Sequence, residues 1–72
     1  MAVEMVPVSS TNVSAVGYDP ETREMTVEFQ NGNVYVYSGV PAEVPEDLKS
    51  SASPGSYFYR NVRNQYRFRQ ER

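Results

Sequence analysis

At 72 residues, with a net charge of −2 and 39% hydrophobic residues, the chain has room for one small globular domain. It contains no cysteine and no histidine, which excludes disulfides, thiolate metal sites and histidine acid–base chemistry. No apolar run is long enough to cross a bilayer, and Glu4 stands where a secretion signal would need basic residues. We therefore expect one domain over residues 1–72, ordered from about residue 7 to about residue 68, with a cytoplasmic location and no membrane partner.

The first two predicted strands cover residues 13–18 and 24–29, with a turn at residues 19–22 between them. Residues 13–18 are rich in β-branched and aromatic side chains. In the second strand, polar side chains alternate with apolar ones, which places three large apolar residues on one face: Met25, Val27 and Phe29.

Asn31-Gly32 predicts a hairpin, and residues 34–37 form the returning strand. With a two-residue loop, Tyr35 faces the polar side of the neighbouring strand, and the two tyrosines of the returning strand form an exposed binding surface. With a three-residue loop and Gly32 in a left-handed bulge, Tyr35 and Tyr37 join the apolar face and become part of the core. We favour the bulged loop, because a chain of this size needs all five large side chains on that face to build a core.

Two helices are predicted after this meander. A short first helix runs through Ser51, with Val44 and Leu48 packing at i, i+4 spacing. Ser53 is the predicted N-cap of the second helix and Pro54 its first residue. That helix presents Phe58, Val62 and Tyr66 to the sheet and most of its arginines to solvent, and residues 69–72 are expected to fray. The predicted fold is α+β: a three-stranded antiparallel β-meander followed by two short helices packed on one face.

The order of several short motifs resembles the KTSC domain, a module named for its occurrence at the C-terminus of some lysyl-tRNA synthetases and also found as stand-alone bacterial and phage-like proteins. The resemblance runs from Pro7 to Phe68 and rests on Ser9-Ser10-x-Asn12-Val13, Tyr35-x-Tyr37-x-x-Val40-Pro41, Ser53-x-Gly55-x-Tyr57-Phe58 and Val62-Arg63-x-x-Tyr66. It implies structural or motif roles for Gly32, Tyr35, Tyr37, Gly55, Tyr57 and Phe58. It also supports inward tyrosines with Val36 pointing outward, and it implies RNA as a partner through the synthetase context.

The chain departs from the family pattern at two positions. Pro45 stands where an aromatic residue is common, and we expect it to shorten the first helix. Tyr59 stands where asparagine is common, and it adds an aromatic ring to the basic helix.

The C-terminal third carries the candidate site, because the charges are divided unevenly along the chain. Residues 1–48 hold eight acidic residues and one arginine, whereas residues 49–72 hold six basic residues and one glutamate. Residues 57–69 contain four arginines and five aromatic residues, which offer phosphate contacts and stacking faces together. The candidate nucleic-acid-binding residues are Arg60, Arg63, Arg67, Tyr59 and Tyr66.

Two other interpretations remain open for this segment. Its aromatic residues are spaced as core residues, and its arginines are also typical of a solvated helix face or of ion pairs with the acidic sheet. A pI of 4.9 is not that of a general nucleic-acid binder, which is usually basic throughout.

The predicted function is a non-catalytic binding module that takes RNA or a nucleotide. The alternative is a module that pairs its free sheet edges with another protein chain or with a second copy of itself. We expect no enzyme activity, no cofactor and no metal, because no histidine is present to activate a nucleophile and no metal-loop spacing occurs.

Overall fold

The computed structural model describes residues 4–72 and contains, within them, one five-stranded antiparallel sheet and two helices. The strands follow one another across the sheet in chain order, β1-β2-β3-β4-β5. The elements are β1 (Val6–Pro7), β2 (Val13–Asp19), β3 (Glu24–Phe29), β4 (Val34–Ser38), α1 (Glu43–Ser50), α2 (Pro54–Asn61) and β5 (Arg67–Gln70). The α+β class and the meander β2-β3-β4 are confirmed, but the prediction of three strands was wrong, because β1 and β5 extend the sheet at its two edges.

The hairpin between β3 and β4 adopts the bulged register. Tyr35 lies opposite Val27, and Tyr37 lies opposite Met25. Gly32 has a φ of 92°, which only glycine adopts readily, and its N–H donates to the carbonyl of Phe29 at 3.0 Å. The three-residue loop therefore confirms the register that brings both tyrosines onto the apolar face.

Both helices contribute to a core on that face of the sheet. Leu48 of α1 and Val62 after α2 are fully buried, as are five residues of the sheet and of the segment after β4: Val13, Val16, Met25, Val27 and Val40. Burying one such side chain stabilises the fold by about 1.5–3 kcal/mol. The hydroxyl of Tyr18 donates to the carbonyl of Val40 at 2.6 Å, which fixes the segment after β4 against the sheet. Val36 lies on the opposite face, as predicted, yet is only 4% exposed, because β5 makes β4 an interior strand.

The helix starts differ from the predictions in detail. Helix α1 begins at Glu43 and accommodates Pro45 in its first turn, where a proline costs no hydrogen bond. Pro54 is the first residue of α2, as predicted. Ser53 makes no side-chain capping bond, so its predicted capping role was wrong; its hydroxyl instead lies 3.1 Å from the hydroxyl of Ser56.

The C-terminal segment departs most from the prediction. Helix α2 ends at Asn61, and the chain turns back to form β5 beside β4. Residues 69–72 do not fray, because the N–H of Glu71 donates to the carbonyl of Val34 at 2.7 Å and the N–H of Val34 donates to the carbonyl of Arg72 at 2.7 Å. Unpaired backbone groups at the edge of β4 thereby gain partners. Between residues 4 and 72, neither helix has the length and apolar character needed to span a membrane.

Candidate nucleic-acid interface

A cleft of about 660 Å³ opens between α2 and strands β3, β4 and β5. Six aromatic side chains line it: Phe29, Tyr35, Tyr37, Phe58, Tyr59 and Phe68. Its polar lining comes mainly from the segment before β2, the β3–β4 loop and the turn after α2: Thr11, Asn12, Gln30, Asn31, Asn33, Arg63 and Asn64. The volume lies within the range of ligand-binding pockets, and the lining combines aromatic rings with seven polar residues.

The rings pack into one layer that is buried at its base and open at its rim. Phe58 meets Tyr37 edge to face, with ring centroids 5.5 Å apart. Phe68 lies against Tyr35 and Tyr37 at 5.6 Å from each, with interplanar angles of 30° and 35°. Tyr37 is 3% exposed, whereas Tyr59 is 53% and Phe68 is 55% exposed. About half of the surface of Tyr59 and of Phe68 is therefore accessible to a ligand above a buried aromatic base.

Arg63 gives the cleft its positive charge. The Cζ atom of its guanidinium lies 4.9 Å from the ring centroid of Tyr59, a cation–π distance that holds both side chains at the rim. All nine acidic residues fall within residues 4–72, and none of them lines the cleft. An anionic ligand would therefore meet a cation there with no carboxylate to repel it.

Tyr37 stays a neutral phenol in this setting. Burial raises its pKa to about 12, and the neighbouring Tyr35 acts in the same direction, while the positive charge of Arg63 opposes the shift. Its hydroxyl can thus donate a hydrogen bond throughout the physiological pH range.

The opposite face of the sheet carries two ion pairs between C-terminal arginines and glutamates of β3. The guanidinium Nη1 of Arg69 lies 3.0 Å from a carboxylate oxygen of Glu24, and the Nη2 of Arg72 lies 3.4 Å from a carboxylate oxygen of Glu28. Arg67 lies on the same face as Arg69, since both alternate with Phe68 along β5. The anticipated pairing with the acidic sheet therefore occurs for two arginines on this face.

The five candidate residues do not form one surface. Arg63 and Tyr59 meet in the cleft, and Arg60 lies in a neighbouring polar groove that Tyr59 also lines. Arg67 was predicted to lie on a helix with them, but β5 sends it to the other face of the sheet. Tyr66 packs against the core and does not line the cleft. Burial raises the pKa of the nearby Tyr57, and the Asp47 carboxylate and then Tyr66 add to that rise.

Sequence reasoning missed Phe68 and the asparagine side chains around the cleft. Phe68 was assigned to the end of a helix, although the alternation of residues 67–70 is a strand signal. Asn31 was interpreted only as a turn residue, Asn64 was placed on the outer side of the second helix, and Asn33 was given no role. Among the family-motif residues, Gly55 has a steric reason: a Cβ there would lie 3.2 Å from the Oγ of Ser10.

Comparisons with known proteins agree with this architecture. The sequence profile of the KTSC domain matches residues 9–66. Over 70 residues the chain is 31% identical to the lysine–tRNA ligase of a Nostoc species, an alignment that covers 97% of this chain and 12% of the ligase. A protein of Tsukamurella paurometabola is 36% identical over 63 residues, which cover 88% of this chain and 94% of that protein. The crystal structure of a KTSC domain protein from Yersinia pestis is similar with a TM-score of 0.89 and 31% identity, covering 96% of this chain and 97% of that one. The chain thus spans about an eighth of the ligase, and nearly the whole of these two other relatives.

Proposed function

The chain belongs to the KTSC domain family, and on that premise we propose that it is a binding module, with no catalytic role, whose aromatic cleft holds single-stranded RNA. One observation carries the proposal. Two half-exposed rings, Tyr59 and Phe68, stand at the rim of a cleft whose charged lining residue is Arg63. Proteins that bind single-stranded nucleic acids commonly combine aromatic rings with arginine. The rings stack on the faces of the bases, and the arginine binds the negatively charged phosphates between them.

The distribution of charge supports a polyanionic ligand. On the opposite face Arg69 and Arg72 are engaged by carboxylates and Arg67 is not, whereas Arg63 and Arg60, beside the cleft, make no ion pair within residues 4–72. Both of these unpaired arginines lie beside Tyr59. A chain with a net charge of −2 can therefore still attract RNA at one place on its surface.

The relatives support RNA as the polyanion. A similar region occurs in lysine–tRNA ligases, whose name identifies tRNA as a substrate. This chain matches only 12% of such a ligase, so the proposal is an accessory RNA contact and leaves the ligase activity with the rest of that protein. The absence of histidine and cysteine, and of any carboxylate lining the cleft, supports binding over catalysis.

The free edge of the sheet supports RNA binding over self-assembly. Edge strand β5 carries Arg67 and Arg69, and charged residues on an edge disfavour pairing with a second chain. The edge strand at the other side, β1, is only two residues long.

Fluorescence anisotropy with a labelled single-stranded RNA of about ten nucleotides tests the proposal. We expect binding at low salt that weakens with added salt, with a slope in the log–log plot of roughly −0.7 for each phosphate contacted. Tyr59→Ala should reduce the affinity by about 5- to 150-fold, which corresponds to about 1–3 kcal/mol for one stacked base. A DNA strand of the same sequence shows whether the ribose contributes.

Arg63→Gln and Arg72→Gln form the matched pair for charge. Both substitutions remove one positive charge, but Arg72 lies on the opposite face against Glu28. We expect Arg63→Gln to weaken binding roughly tenfold and Arg72→Gln to leave it nearly unchanged. Equal losses from the two variants, or no binding by the unsubstituted chain at low salt, would refute RNA binding in the cleft.

A further inference from the structure

A second groove adjoins the aromatic cleft. It has a volume of about 510 Å³ and runs between residues 9–12 and residues 52–56, with Arg60 at one end. Four residues line both cavities: Thr11, Asn12, Gly55 and Tyr59. The two cavities are therefore neighbours, and the half-exposed ring of Tyr59 stands between them.

The two cavities differ in chemistry. The cleft is built from six aromatic rings, whereas the groove has Tyr59 as its one aromatic residue and offers hydroxyl groups from serine and threonine. Each has one charged lining residue, Arg63 in the cleft and Arg60 in the groove, and no acidic residue of the chain lines either of them. Rings suit a nucleobase, and hydroxyl groups beside an arginine suit the phosphate and sugar that follow it.

The absence of a side chain at Gly55 keeps the junction open. A Cβ atom there would lie 3.2 Å from the Oγ of Ser10 and 3.7 Å from the Nδ2 of Asn12. The Ser10 hydroxyl in turn accepts hydrogen bonds from the N–H groups of Asn12 and Val13 at 3.2 and 3.3 Å, which fixes the wall of the groove in place. A side chain at Gly55 would therefore press against the segment that lines both cavities.

We infer that the cleft and the groove form one continuous path for two consecutive nucleotides of an RNA strand. One base stacks in the aromatic cleft, and the phosphate that links it to its neighbour lies in the groove against Arg60. This inference rests on the proposed function and adds to it a second subsite with a different ligand group. Tyr59 separates the two subsites and contacts both nucleotides.

Three probes of increasing length separate the subsites: adenosine, which has no phosphate; the dinucleoside monophosphate ApA, which has one internal phosphate; and a single-stranded oligoadenylate. In ¹⁵N–¹H NMR titrations, adenosine should shift amide signals around the cleft alone. ApA should also shift the amides of residues that line the groove alone: Ser9, Ser10, Ala52, Ser53 and Ser56. The oligoadenylate, followed by anisotropy, gives the affinity and its salt dependence.

Arg60→Gln and Arg67→Gln are the matched variants, since each removes one charge and Arg67 lies on the other face of the sheet. We expect Arg60→Gln to leave the affinity for adenosine unchanged and to weaken the binding of ApA and oligoadenylate roughly tenfold. The slope of log affinity against log salt concentration should become shallower by about 0.7. Arg67→Gln should change none of these. Two results would overturn the inference and leave the proposed function standing. One is that Arg60→Gln and Arg67→Gln bind every probe with equal affinity, and the other is that Arg60→Gln weakens the binding of adenosine as much as the binding of ApA. Failure of all three probes to bind the unsubstituted chain would overturn both.

Discussion

Substitution of Phe68 by alanine tests whether β5 docks on the sheet, and with it whether the cleft has an outer wall. Phe68 is 55% exposed, so a little under half of its surface is buried against Tyr35 and Tyr37. Replacement of a fully buried phenylalanine by alanine costs about 3–5 kcal/mol, and scaling by the buried fraction gives about 1.5–2 kcal/mol for Phe68→Ala. For a domain of this size that loss lowers Tm by roughly 6–16 °C.

Thermal unfolding followed by far-ultraviolet circular dichroism measures this change. Tyr59→Ala is the control, because its ring is 53% exposed but lies on α2, with Phe58 as its aromatic neighbour at 6.3 Å. The same scaling gives Tyr59→Ala a similar loss of packing, but alanine is the better helix former within α2 by about 0.5 kcal/mol, so we expect a somewhat smaller fall in Tm for this variant. Phe68→Leu, which keeps part of the buried area, should lower Tm less than Phe68→Ala does. If Phe68→Ala unfolds within about 2 °C of the unsubstituted chain, the C-terminal segment is not a packed strand and our description of the cleft is wrong.

Three further changes test the core, the hairpin and the titration of the cleft. Leu48→Ala, at a position with no exposure, should cost about 3 kcal/mol in urea unfolding, whereas Leu48→Met should cost less than about 1.5 kcal/mol. Gly32→Ala should lower the free energy of unfolding by about 1–2 kcal/mol because of the positive φ at this position. No steric clash contributes, since a Cβ at Gly32 meets nothing within 4 Å. Gly32→Asn should cost less, because asparagine tolerates this conformation better. Because the pKa of Tyr37 is raised to about 12 from 10.0, its contribution to stability is complete below pH 10 and is lost as the pH rises to 12. With allowance for partial solvent screening, the free energy of unfolding in urea should fall between pH 9 and pH 11.5 by about 1–2 kcal/mol more in the unsubstituted chain than in Tyr37→Phe. An equal pH dependence of the two proteins would contradict this assignment.

The hairpin could be predicted from the sequence because its determinants are local. Asn31-Gly32 specifies a tight turn, and the requirement that Met25 and Val27 share a face with the two tyrosines selects one of two registers. The first helix was predictable for the same reason, since Val44 and Leu48 lie one turn apart.

Strand β5 could not be assigned in this way. Phe58, Val62 and Tyr66 recur at four-residue spacing, so the local pattern favours one long helix through all three. The competing strand signal is four residues long and contains one apolar side chain, Phe68. What decides the outcome is the unpaired edge of β4, a tertiary feature that no window of the sequence contains.

The same change of element decides which arginines reach the candidate site. On a continuous helix, the arginines of residues 57–69 would share one side with exposed aromatic rings. On β5, successive side chains point to opposite faces, so Phe68 enters the cleft while Arg67 and Arg69 go to the acidic face. The linear cluster of four arginines is therefore divided in two, and only Arg60 and Arg63 remain beside aromatic rings. The RNA binding that we propose consequently depends on the placement of two cations around Tyr59 and much less on the total positive charge of the C-terminal third.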